Sequence, residues 1–218
     1  MVQGFTAKVA YLSTWLGLKI FCQAVKIAPR AVFCTADRLA ALGYVIFSGF
    51  RRRSLANLRI ALGDRYDHAA LELTARRTLR NFFRACVEIA VALESRDQQL
   101  RQRITLVGRQ HLDAALAKGQ GVILLSAHLG NFFLVGSRLA VEGYPAYVLV
   151  NQPRDGRFAE LMDDYRLRVR QPTIYARPRR HALRELYGVL RENRVVIVIA
   201  DEFRQENGIE VPFFSGTV

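Results

Sequence analysis

Acid is scarce in this chain: 19 Asp and Glu stand against 32 Lys and Arg over 218 residues, a formal net charge of +13. That imbalance directs it toward an anionic partner, whether phospholipid, nucleic acid or a phosphorylated small molecule, and charge alone does not choose among them. The three cysteines, Cys22, Cys34 and Cys86, are an odd number without paired spacing, which argues against a disulfide framework and a zinc site and for a reducing compartment. Repeats, low-complexity tracts and long linkers are missing. So are a helix-turn-helix, an RNP-like run and any basic motif interleaved with aromatics, which removes the support for a nucleic-acid partner. A membrane span needs about 20 residues with few or no charges, and neither long apolar stretch provides them. Residues 5–25 carry Lys8 and Lys19, and residues 31–50 carry Asp37 and Arg38. A secretory signal is a poor match too, because Gly4 and Phe5 enter without a basic leader or small-residue cleavage pattern.

What is present is apolar content of 51%, enough for one sizeable α/β domain with its own core, or that plus a small appendage. Residues 1–50 read as an apolar helical segment. It is suited to lying in a bilayer interface with Arg51, Arg52 and Arg53 meeting anionic head groups; an ordinary helical hairpin covering a sheet is the alternative. From Leu55 to Leu93 the period is helical. Leu55, Leu58 and Leu62 form one stripe, with Gly63 as C-cap, and Ala75, Leu79, Phe82, Cys86, Ile89 and Leu93 form another. Arg76, Arg77, Arg80 and Arg84 fall largely off that stripe, as a solvated basic face would.

After residue 103 the pattern becomes strand and helix in alternation. GVILLSA (121–127), AYVLV (146–150), TIYA (173–176) and VVIVIA (195–200) are short β-branched runs. Helical stripes separate them: a helix starting near Phe132, then Phe158, Leu161, Met162, Tyr165 and Val169, then Leu183, Leu186, Tyr187 and Leu190. This predicts a mostly parallel central sheet flanked by helices over residues 51–218. In such sheets ligands bind at the carboxyl ends of the strands, and His128 in SAHLGNFFLVG (126–136) follows such an end. Gly130 permits close approach of backbone or substrate, and Asn131 is placed to cap the following helix. A loop histidine satisfying local hydrogen bonds is the plain alternative.

GVILLSAHLGNF resembles the histidine motif of the lysophospholipid acyltransferase superfamily, in particular the branch of the lauroyl and myristoyl acyltransferases of lipid A biosynthesis, whose pattern reads roughly HxGNWE. NLRIALGD (57–64), RRTLRNFFRACVE (76–88), GRQHLDAALAKGQGVILL (108–125), the helix around Arg166 and VVIVIADEFRQENGIEVPFFSG (195–216) are similar in order and spacing. The apolar residues 1–50 resemble the family's membrane-associated N-terminus. Its relatives continue past VPFFSG, so the chain is expected to be a fragment or to lack the final layer, leaving one sheet edge for a partner or membrane to cover.

The resemblance implies a membrane protein of lipid biosynthesis at the cytoplasmic face of a bacterial inner membrane. It implies transfer of a fatty acyl chain from a thioester of acyl carrier protein or CoA to a hydroxyl of a lipid or glycolipid, without cofactor or metal. His128 would be the general base, with a carboxylate five residues on to orient it. That position holds Phe133, so the carboxylate must come from elsewhere or the protein is a catalytically impaired lipid-binding homologue. Asp201, which matches a family aspartate, and Glu202, which stands where relatives often carry glutamine, are the candidates, because both follow the fourth strand. Arg166 corresponds to an arginine placed near the acceptor phosphate or developing oxyanion, and Asn151 to an asparagine after the second strand. Gly130 and Asn131 complete the substrate-binding set. Phe132 and Phe133, with Leu134 beside them, are candidates for the acyl pocket or for core.

Overall fold

The computed structural model describes residues 16–17, 19–151, 156–201, 211–214 and 216–217. The chain divides into two compact units, residues 1–19 with 92–202 and residues 20–91 with 203–218.

In the first unit the four β-branched runs are strands: β1 Val122–Ser126, β2 Ala146–Val150, β3 Thr173–Tyr175 and β4 Val195–Ile199. All pairings are parallel, in the order β1-β4-β2-β3. Parallel neighbours need crossover connections, which helices α7 (Phe133–Val141), α8 (Gly156–Arg168) and α9 (Arg179–Arg191) supply. Central β4 is covered on both faces. Val195 and Ile197 pack with Leu139, Tyr144, Ala146 and Val148, whereas Val196 packs with Ile174 and Val189 on the opposite side. Strand β1 is an edge, and its Ile123 and Leu125 remain 51% and 72% exposed.

Two devices hold the amino edge of this sheet. Gly121, at φ +70°, enters β1 so close to the end of α9 that a Cβ there would lie 2.6 Å from the Leu190 carbonyl oxygen. Asn193 accepts the Gly121 N–H at 3.0 Å and donates to the Leu116 carbonyl at 3.0 Å. The second device is Glu142, at the end of α7. It binds Arg138 at 2.6 Å, Arg109 at 3.0 Å and Arg101 at 3.1 Å, tying together α5 (Asp97–Arg103), α6 (Arg109–Leu116) and α7. The Arg138 hydrogen bond, helped by the neighbouring arginines, keeps the Glu142 carboxyl below its ordinary range against the opposing effect of desolvation.

The second unit contains α1 (residues 19–27) from residue 20 on, α2 (Pro29–Ile46), α3 (Ser48–Leu62) and α4 (His68–Glu94), of which α4 ends in the first unit, together with the short antiparallel pair β5 (Pro212–Phe213) and β6 (Gly216–Thr217). Its core is Ala40, Tyr44, Ala75 and Leu79, packed by Phe50, Leu55, Leu58 and Phe83. Gly63 ends α3 at φ +59°, and its N–H bonds the Arg59 carbonyl. Among the described residues no single helix is long and apolar enough to cross a membrane. Helices α2 and α3 qualify together but bend by 88° at their junction.

Three expectations are corrected. After Leu79 the inward stripe of α4 steps by four to half-buried Phe83 and buried Val87, then by three to Ala90, so Phe82 and Cys86 face solvent. Helix α9 packs Leu186 and Leu190 against the sheet as expected, but together with Ala182 and Val189, and leaves Leu183 and Tyr187 exposed, because the face resting on β3 and β4 is turned to one side of the expected stripe. The basic face is only partly solvated. Arg76, Arg77 and Arg80 are exposed as expected, Arg76 lying 4.8 Å over the Tyr44 ring, but half-buried Arg84 grips Asp37 with bonds of 2.7 and 2.6 Å. Of the expected α8 stripe, Val169 is buried just past the end of the helix; Phe158, Leu161, Met162 and Tyr165 lie outside the residues whose side chains are described.

Gly121→Ala combines a positive φ with overlap against backbone and should destabilise the first unit by about 2–5 kcal/mol in chemical denaturation. Glu142→Gln should lower the thermal midpoint at neutral pH, and the difference should shrink as pH falls. A carboxyl depressed in the folded state contributes stability above its unfolded value of about 4.3, and loses it as pH drops through the lower folded value.

Candidate active site

The register of β1 on β4 pairs Val122 with Val195 and Ser126 with Ile199, an offset of 73 residues throughout. The Ala200 N–H still reaches the Ser126 carbonyl at 3.0 Å. Two residues beyond each strand the same offset sets His128 against Asp201. Contact occurs twice: the His128 backbone N–H donates to Asp201 Oδ2 at 2.7 Å, and ring Nδ1 lies 2.8 Å from Asp201 Oδ1. One carboxylate therefore holds both the main chain and the ring of the same histidine.

Both side chains are partly open to solvent, His128 at 43% and Asp201 at 40%. Desolvation pushes the Asp201 carboxyl up, but the backbone N–H and ring of His128 outweigh it, so its pKa rests below the ordinary value. An ionised Asp201 accepts from Nδ1–H, which leaves Nε2 with its lone pair. The imidazole is thereby arranged to take a proton from a group arriving in front of the sheet edge. On its other side, the Phe132 ring meets His128 edge-on at 4.7 Å, and Phe133 stacks on Phe132 at 4.6 Å.

The remaining site candidates are distributed along the sheet. Gly130 adopts φ +60° in an exposed loop with open space around its Cα, consistent with close approach by another group. Asn131 does not cap the next helix by its side chain: Phe132 is the N-cap, already in the α conformation, and the Asn131 carbonyl accepts the Leu134 N–H at 3.1 Å. Half-buried Phe132 and Phe133 serve as the wall beside His128. Exposed Asn151 follows β2, so it shares the carboxyl edge one strand from Asp201. Glu202 lies outside the described residues.

Arg166 is buried in α8, with Nη1 3.4 Å from Thr173 Oγ1 and 3.8 Å from Asp163 Oδ1. Thr173 begins β3, three strand positions from β1, or about 14 Å across the sheet. This neighbourhood holds a pair that sequence reasoning did not single out. The Tyr175 hydroxyl donates to Asp163, and burial, aided by that bond, pushes it up to about 12. The only sequence signal for it was the position of Tyr175 at the end of a strand-like run.

Comparison with known proteins adds two findings. The family model described as bacterial lipid A biosynthesis acyltransferase matches residues 3–217. The phosphatidylinositol mannoside acyltransferases of two Mycobacterium tuberculosis strains are each 34% identical over 112 residues, covering 49% of this chain and 34% of each relative's own length.

Asp201→Ala removes the acceptor of the His128 amide. Hydrogen exchange at that amide should accelerate by about tenfold or more while the amides of β1 and β4 keep their protection, which shows the cap to be local. Unchanged exchange at His128 would contradict the geometry.

Proposed function

The chain belongs to the bacterial lipid A biosynthesis acyltransferase family, and from that premise we propose that it transfers a fatty acyl chain from a thioester of acyl carrier protein or CoA to a hydroxyl of a lipid or glycolipid. The observation that carries this reading is the hydrogen bond between His128 Nδ1 and the accepting Asp201 Oδ1. It supplies, from the fourth strand, the orienting carboxylate that Phe133 cannot supply from the histidine loop. Nε2 of His128 takes the proton of the acceptor hydroxyl, whose oxygen attacks the thioester carbonyl. The carbon–oxygen bond forms, the carbon–sulfur bond breaks, and His128 returns the proton to the departing thiolate. Asp201 stabilises the imidazolium between these steps. Phe132 and Phe133 form the apolar wall on which the acyl chain or the lipid rests. Glycolipid acceptors are supported by the names of the mycobacterial relatives. A lipid acceptor and the basic surface together favour an anionic phospholipid membrane, the cytoplasmic face of a bacterial inner membrane, as the place of work.

A second reading, a lipid-binding homologue without turnover, is favoured by Phe133 in the family's carboxylate position. Mass spectrometry of lipid products, with purified protein, acyl carrier protein or CoA thioesters and detergent-dispersed acceptors, separates the two. The enzyme reading expects turnover by the wild type, none by His128→Ala, and a kcat lowered about 10³- to 10⁴-fold by Asp201→Asn with KM little changed. Phe133→Glu should leave turnover unchanged or raise it. No turnover by the wild type with any hydroxyl-bearing lipid, and lipid affinity indifferent to His128→Ala, would establish the second reading.

A further inference from the structure

The inward side of helix α9 belongs to the sheet, through Ala182, Leu186, Val189 and Leu190. Its outward side is a line of cations. Arg180, Arg184, Tyr187 and Arg191 follow one another in steps of four, three and four, so they share one exposed ridge about 16 Å long. Arg179 stands exposed beside the start of that ridge. Nothing in the fold asks for this arrangement. Arg179 and Arg180 lie in the first turn, where the macrodipole is positive and disfavours cations, and Arg180 and Arg184 repel each other at i,i+4. No acid stands in that first turn. The acids nearby are turned to other partners, Glu185 to His181 at 3.8 Å and Glu192 to Arg194 at 2.8 Å. Among the described residues Arg179, Arg180, Arg184 and Arg191 form no ion pair. Cations set against their own helix and against one another are explained by an anionic partner that brings the missing charge.

We infer that the Arg180–Arg184–Arg191 ridge of α9 docks an acidic helix of the carrier protein that delivers the acyl thioester. The inference rests on the proposed acyl transfer and selects between its two donors. A row of cations at helical spacing matches carboxylates at the same spacing on a facing helix, whereas CoA presents its phosphates close together at one place. An anionic bilayer is negative too, but a helix that lies on lipid inserts an apolar face, and the apolar face of α9 is spent on the sheet. Position favours the carrier as well. Helix α9 follows β3 and so starts at the carboxyl edge of the sheet, the edge that holds His128 about 14 Å away across the strands. A carrier seated on its first turns stands beside that edge, and its flexible arm takes the thioester across.

Arg180→Glu with Arg184→Glu tests the ridge, using one fatty acyl chain loaded in parallel on a bacterial acyl carrier protein and on CoA, with detergent-dispersed acceptor. KM for the carrier thioester should rise about tenfold or more with kcat little changed, and added salt should raise the wild type's KM in the same direction. Kinetics with the CoA thioester should stay as in the wild type. Arg77→Glu with Arg80→Glu changes the net charge equally at exposed arginines of α4 and should leave both donors unaffected. Circular dichroism checks that each variant is folded; α9 gains from losing cations in its first turns. Equal effects on both donors, no effect on the carrier thioester, or an equal effect of the α4 variant would overturn the docking ridge. So would loss of flotation with phosphatidylglycerol vesicles by the ridge variant while its carrier kinetics stay unchanged, an outcome that assigns the face to lipid. Fluorescence anisotropy of a labelled acyl carrier protein separates this inference from the functional reading. Carrier binding that the ridge variant loses, without turnover by the wild type from either donor, sinks acyl transfer and leaves the ridge standing; turnover from CoA alone, with no carrier binding, does the reverse.

Discussion

Everything at the candidate site depends on the register of one strand pair. The constant offset of 73 residues between β1 and β4 carries Asp201 to His128, and a slip of one residue would place Ala200 or Glu202 there instead. Such a slip would also exchange the faces of Val195, Val196 and Ile197, which pack into two different clusters on the two sides of the sheet. The register is enforced from the opposite end, where Gly121 and Asn193 clamp β1 against the end of α9. Chemistry at the carboxyl edge is thus positioned by packing at the amino edge.

The shortage of acid has a structural counterpart. In a chain with surplus arginine, the few carboxylates are engaged in specific positions: Glu142 gathers three arginines, Asp37 holds Arg84, Asp113 and Asp163 accept tyrosine hydroxyls, and Asp201 holds His128. Arg77, Arg80, Arg52 and Arg53 remain at the surface as the source of the basic character. Arg138 and Arg166 are the buried exceptions among the described arginines.

Family membership is compatible with the substitution at Phe133 because a sheet edge collects residues from distant parts of the chain. A carboxylate can be delivered by the following turn of the histidine loop or by the neighbouring strand, and the imidazole requires only an acceptor near Nδ1. Here the aromatic pair Phe132 and Phe133 occupies the loop side, and Asp201 reaches in from β4.

By itself the sequence determined the four strands, their alternation with helices, the placement of His128 at a strand end and the helical character of residues 55–93, because these follow from local periodicity and β-branched runs. It also brought Asp201 and Glu202 to the same edge without separating them. Tertiary structure alone decided that Asp201 meets the histidine, since a contact across 73 residues depends on pairing register and not on local pattern. It likewise decided that α4 packs Phe83 and not Phe82 against the helical core, and that α9 buries Val189 and not Tyr187. A helix places residues three and four positions ahead on nearly the same face, and only the neighbour it packs against selects between them.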